Sequence, residues 1–173
     1  MASPCPLYLM AKPSAAKALE IDRLRRALDI GRTYGAERLH MTLLRLWDGQ
    51  GSPASWITLL CRALASLDAP PFEVRFERVR RNALVGGAAM RDARLFQQRL
   101  VQFLAPLGLP VPEYAFKPHL SLAYGASPER NVAVPPICWI VEELLLIRSI
   151  HGQGRHEELG RWPLVPRQGA FGF

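Results

Sequence analysis

The sequence predicts an α+β fold built from two similar halves, and two observations carry that prediction. Apolar residues recur with strand and helix spacings in the order β-α-β-α-β-β-α-β-β-β. One short pattern, His-apolar-hydroxyl-Leu, also occurs twice, as HMTL at 40–43 and as HLSL at 119–122. The two histidines stand 79 positions apart, about half of the 173-residue chain, and each follows a helical stretch. This spacing points to an internal duplication too diverged to show outside the motif.

The elements follow in order. PLYLMA at 6–11 reads as a strand closed by Pro13, and Ser14 caps a helix that repeats apolar residues until Gly31. ERLHMTLLRLWDG is an apolar strand ended by Asp48-Gly49. Ser52-Pro53 opens a helix over 54–67, with Leu59, Leu60, Ala63, Leu64 and Leu67 on one stripe. FEVRFERV at 72–79 alternates apolar and charged residues as a strand does, and NALVGGAA makes a short strand running into a glycine pair. An amphipathic helix covers 91–105 and ends near Pro106 and Gly108. KPHLSLAYG at 117–125 is a proline-opened strand, and ASPERNVAVPP reads as a polar connection ended by prolines. IVEELLLIRSI at 140–150 is a long apolar strand whose start, at Glu142-Glu143, is ambiguous with helix. The glycine-bearing loop HGQGRHEE and the strand LGRWPLV close the chain.

The length suits one compact domain over 1–173. A hydrophobic fraction of 49% and a charged fraction of 21% argue against disorder. No run approaches the roughly 20 apolar residues of a membrane span. The first apolar stretch, Leu7 to Ala11, is too short for a signal-peptide core. The expectation is a soluble, cytoplasmic monomer. Cys5, Cys61 and Cys138 are far apart and match no Cys-x-x-Cys pattern, so they read as reduced structural thiols. The net charge is +7, and only three of the 22 basic residues are lysines (Lys12, Lys17, Lys117), so arginine supplies 19. An arginine-rich basic surface attracts phosphates and holds them bidentately, although solvated arginines alone would give the same composition.

The repeated motif sharpens this. In a strand, His119 and Ser121 share one face while Leu120 and Leu122 share the other, and His40 and Thr42 pair in the same way. A lone histidine on a strand is more often structural than catalytic; two copies at corresponding places change the balance. If the halves pack about a pseudo-twofold axis, one cleft receives two imidazoles and two hydroxyls. That set suits a phosphodiester. A neutral imidazole takes a proton from attacking water, and an imidazolium gives one to the departing oxygen. An unperturbed pKa near 6.5 lets both forms coexist near neutrality. The hydroxyls donate to the non-bridging oxygens, where charge accumulates. Such chemistry needs no metal and no cofactor, and two histidines are too few for a convincing zinc site.

HMTL and HLSL resemble the paired His-x-Thr/Ser signatures of the 2H phosphoesterase superfamily. PLYLMA, the Lys-Pro-His entry and the closing IRSIHG…GRWPL resemble its bacterial LigT-like branch, the RNA 2′,3′-cyclic phosphodiesterase (2′-5′ RNA ligase) family. The resemblance covers most of the chain. It implies two lobes related by a pseudo-twofold, with antiparallel sheets facing a central cleft and helices outside. It implies that His40 and His119 are catalytic, His40 as acid to the leaving 3′ oxygen and His119 as base for water. It implies that Thr42 and Ser121 hold the phosphate of an RNA or nucleotide cyclic end, and that the product is a 2′-phosphomonoester. Two other functions fit the same residues: an RNA- or nucleotide-binding module with little catalysis, and 2′-5′ RNA end joining.

Two departures stand out. The family often has an aromatic five residues after the first histidine and an arginine five after the second, whereas this chain has Arg45 and Tyr124 there, as if exchanged. Strand parity puts a +5 residue on the face opposite its histidine, so either reaches the phosphate only if its strand ends or bulges first. The expectation is that Arg45 or Tyr124 partly replaces the missing arginine in binding substrate, the alternative being that both cover hydrophobic surface. Lys117 stands where arginine is common before Pro-His, which keeps the charge and loses the fork. His151 and His156 read as inert loop residues, and Arg148 and Arg155 as solvated, the alternative being that these two arginines line the mouth of the cleft and contact RNA phosphates. Gly86-Gly87 lacks the Lys-Ser/Thr of a phosphate-binding loop.

Overall fold

A computed structural model describes residues 6–31, 35–47, 54–108, 115–125, 128–150 and 155–165. Cys5, His151, Asp48-Gly49 and Ser52-Pro53 lie outside the described residues. The strands are β1 (Leu7–Ala11), β2 (Met41–Trp47), β3 (Phe72–Arg80), β4 (Ala83–Val85), β5 (His119–Ser121), β6 (Asn131–Val141), β7 (Glu143–Ile150) and β8 (Arg155–Pro163). The helices are α1 (Ala15–Ala27), α2 (Ala54–Ala65) and α3 (Arg91–Leu104).

The fold is α+β, and its eight strands form one antiparallel sheet in the order β6-β3-β4-β5-β2-β1-β7-β8. Read from the middle outwards, the two halves match. The unit β1-α1-β2 corresponds to β4-α3-β5, with β7 and β8 on one side mirrored by β3 and β6 on the other. The halves join where β2 meets β5, at the single partner pair Met41 and Leu120. The two sheets expected around a cleft are therefore continuous, with the duplicated motifs side by side at the seam.

All three helices cover one face. Ile21 of α1, Leu60 and Leu64 of α2, and Phe96 and Leu100 of α3 join Leu9, Met41, Leu84, Leu120 and Leu146 in a single core. Each such apolar side chain contributes about 1.5–3 kcal/mol on burial. This locks the register, because a one-residue slip would turn Met41 and Leu120 to solvent and bury the imidazoles.

Several elements differ from the sequence expectation, among them α2, which ends at Ala65 rather than Leu67. Ser14 does cap α1, accepting from the Lys17 amide, but the helix ends at Leu28 rather than Gly31. Asp29 takes the left-handed conformation there, a role its short polar side chain tolerates. The second half of the stretch read as a polar connection, from Asn131 to Pro136, is strand and opens the eleven-residue β6, which carries Pro135 and Pro136. This strand also takes in Ile140 and Val141, so the strand expected over 140–150 begins only at Glu143. β6 lies at the edge of the sheet, and its prolines face a register shift between Phe76 and Arg78, so no ladder hydrogen bond is demanded of them. The stretch from 117 to 125 is strand only over three residues. Finally, β8 begins at Arg155, earlier than LGRWPLV suggests, and carries His156 into the sheet.

Candidate active site

The seam builds a four-residue cluster on the open face. Met41 and Leu120 pair and point into the core. Their neighbours therefore point the other way, and continuing the antiparallel register sets Thr42 across from His119 and His40 across from Ser121. Cross-strand partners have Cβ atoms about 4.5–5.5 Å apart. All four of these residues are half-buried.

Both imidazoles are held in the same way. His40 Nδ1 donates to the carbonyl of Arg38 at 2.7 Å, and His119 Nδ1 donates to the carbonyl of Lys117 at 2.8 Å. A carbonyl only accepts, so Nδ1 carries the hydrogen and Nε2 is the nitrogen presented for proton transfer. The bond spans two residues in each case, so the duplication extends to a cation-x-His-x-hydroxyl-Leu unit, RLHMTL and KPHLSL. Lys117 enters the site through its backbone carbonyl, and its side chain is exposed.

The +5 residues separate. Along β1, Met10 pairs with Thr42 and Leu9 with Leu44, which leaves Leu43 as an extra residue. This bulge resets the parity, so Arg45, paired with Tyr8, stands on the same face as Thr42. It lies past the row that joins Thr42 to His119. Tyr124 follows the end of β5 and is 54% exposed, so strand parity does not place it.

Three further residues reach the cluster. The His156 ring meets the His40 ring edge to face, with centroids 5.3 Å apart. Three strand spacings, about 14 Å in a flat sheet, separate β8 from β2, so this contact makes the open face concave. Lys12 and Arg38 add positive charge next to His40 and His156. Burial lowers the pKa of His40; the Arg38 carbonyl opposes this, and Lys12, Arg38 and His119 reinforce it. The sequence held a signal for Arg38, the cation two residues before each histidine. It held none for His156, whose partner is fixed only by the curvature of the sheet.

His156 is pushed down to about 4, first by burial and then by His40, Arg38 and Lys12. The unfolded chain takes up this proton near 6.5 and the folded chain only near 4. Stability from this source is therefore complete above about pH 6.5 and falls as the pH drops towards 4. The melting temperature is expected to fall between pH 7.5 and 5, and to fall less in His156→Gln. Equal falls in the two proteins would contradict this origin.

Other residues stand apart. Arg148 is paired with Glu157 at 3.1 Å, and the side chain of Arg155 lies outside the described residues. Cys61 and Cys138 are free thiols. Among the described residues, no three His, Cys, Asp or Glu side chains group as metal ligands, and no helix is long and apolar enough to cross a membrane. A cavity of about 530 Å³ between residues 67–72 and α3, lined by Asp68, Phe96 and Arg99, lies on the helix side and contains none of the motif residues.

Residues 12–153, which span both motifs, match the sequence model of the 2'-5' RNA ligase superfamily. The fold is similar to that of E. coli LigT in its apo form, with 24% identity over 95% of this chain and 100% of that one, and a TM-score of 0.73. It is equally similar to a crystallised phosphoesterase, with 24% identity, 94% and 100% coverage and a TM-score of 0.73. A Thermus thermophilus protein, TT0787, is more distant, with 20% identity, 94% and 99% coverage and a TM-score of 0.61. No curated protein gives a significant match.

Proposed function

The chain belongs to the 2'-5' RNA ligase superfamily of 2H phosphoesterases, and from that premise we propose that it hydrolyses 2′,3′-cyclic phosphodiester ends of RNA or small nucleotides to 2′-phosphomonoesters. One observation carries the reading: two histidines with Nε2 presented, and two hydroxyls, share the concave face at the seam of a duplicated fold. The reaction is metal-independent and belongs in the cytoplasm, where RNA is processed. His119 takes a proton from water as the water oxygen bonds to phosphorus. The bond from phosphorus to the 3′ oxygen breaks, and His40 protonates that oxygen. Thr42 and Ser121 donate to the non-bridging oxygens, and Arg38, Arg45, Lys12 and Lys117 surround the added charge. E. coli LigT has been crystallised with 3'-AMP and with phosphate, ligands of the size and charge this cleft would take.

The surroundings of His40 favour a second assignment within the same reaction. Its lowered pKa leaves it neutral in the free protein, as suits a base, unless a bound phosphodiester anion restores its proton. Exchanging the two roles leaves the bell-shaped pH dependence of kcat/KM unchanged, so the leaving group separates them. In a cyclic substrate with sulfur in place of the 3′ oxygen, the sulfur leaves without protonation. Such a substrate should restore turnover to His40→Ala if His40 is the acid, and to His119→Ala if His40 is the base. The reading itself is tested by turnover of a 2′,3′-cyclic nucleotide in excess EDTA. Binding without turnover would make the chain a binding module.

A further inference from the structure

The cluster continues sideways across one half of the sheet. Val85 pairs with His119 and Arg78 pairs with Val85, while Ala83 pairs with Ser121 and Arg80 pairs with Ala83. Cross-strand partners share a face, so Arg78 and Arg80 stand on the concave face in the same two rows as the second motif. They lie two strand spacings, about 10 Å, from it. Only the small side chains of Ala83 and Val85 intervene, so a chain can lie flat between them.

These two arginines also differ from their neighbours in charge balance. Arg75 is paired with Glu77, Arg81 with Glu129, Arg148 with Glu157, and Arg161 with Glu143 and Glu158. Arg78 bonds a neutral amide, Asn131 Oδ1, at 3.0 Å, and Arg80 has no partner among the described residues. Both are exposed. The opposite half offers no such path. Beyond Thr42, the row continues through Met10 and Leu145, both buried, and the hollow of about 340 Å³ on that side is lined by Glu142 and Glu143 as well as Lys12 and Arg161, the last ion-paired with Glu143.

We propose that Arg78 and Arg80 form a phosphate track that binds the RNA chain on the 5′ side of its cyclic end, so that the preferred substrate is an oligoribonucleotide rather than a mononucleotide. This rests on the phosphodiesterase reading above. A span of about 10 Å corresponds to roughly two or three phosphates at about 3.4 Å per nucleotide of a stacked strand. The guanidinium forks hold such phosphates bidentately.

The test compares kcat/KM for 2′,3′-cyclic AMP and for tri- and hexaribonucleotides with cyclic ends, at several salt concentrations. The native chain is expected to prefer the hexanucleotide about tenfold or more. Arg78→Ala/Arg80→Ala is expected to erase most of that ratio and to flatten the log–log salt slope for the hexanucleotide by about 1.4, at about 0.7 per single-strand phosphate contact. Arg91→Ala/Arg99→Ala on α3 serves as the control and should alter neither. A native chain with no length preference, or a track variant with unchanged ratio and slope, would overturn the proposal. Should no cyclic end be hydrolysed, the catalytic reading fails by itself. Fluorescence anisotropy with a hexaribonucleotide bearing a 3′-phosphate then decides the track: weaker, less salt-sensitive binding by the track variant upholds it, and equal binding removes it.

Discussion

His119→Ala is expected to lower kcat on a 2′,3′-cyclic nucleotide by about 10²–10⁴, the range for loss of a positioned proton-transfer group. His40→Ala should lose activity on the same scale. The double variant should be little worse than either single one, because groups that act as a unit are not additive. Neither change should unfold the protein, since both imidazoles lie on the open face and outside the helix-covered core. Steady-state kinetics on the three variants, with melting temperatures as the check, measure this. Full activity in either single variant would remove that histidine from the mechanism.

Arg25→Ala is expected to cost about 3–5 kcal/mol of stability, and to lower the melting temperature by on the order of 10 °C. Arg25 is 1% exposed. It is ion-paired with Asp22 on the same helix, and its Nη1 donates to the carbonyl of Leu122 at 3.2 Å. Burial raises the Asp22 pKa, but the hydrogen bonds from Arg26 and Arg25 outweigh it and hold the carboxyl below its usual range. Leu122 follows Ser121 directly, so α1 of the first half anchors the motif strand of the second. Truncation leaves the Leu122 carbonyl without this donor and the buried Asp22 with less counter-charge. Denaturant titration measures the loss, and a cost under 1 kcal/mol would show that Arg25 is not this anchor.

The parts of the fold set by local chemistry were legible. Ser14 capped a helix, the alternation in FEVRFERV made a strand, and the repeated His-x-hydroxyl strands met as the parity argument required. The parts set by tertiary position were not. Pro135 and Pro136 argued against a strand, and only the place of β6 at the sheet edge lets it tolerate them. Simple parity sets Arg45 on the face opposite His40 unless the strand bulges, and the bulge at Leu43, which no local pattern announces, returns it to the face of Thr42. His156 looked like a loop residue because its contact with His40 crosses two intervening strands. The arginine track was hidden because its rows connect residues 78–85 to 119–121, a pairing that no local pattern announces.

The position of the phosphate in the product tests the central claim most directly. The chain, incubated with 2′,3′-cyclic AMP in EDTA and followed by phosphorus NMR, should yield 2′-AMP alone, because the acid serves the 3′ oxygen. Release of 3′-AMP, or no turnover by a folded protein, would contradict the assignment of His40 and His119 to hydrolysis at the 3′ side.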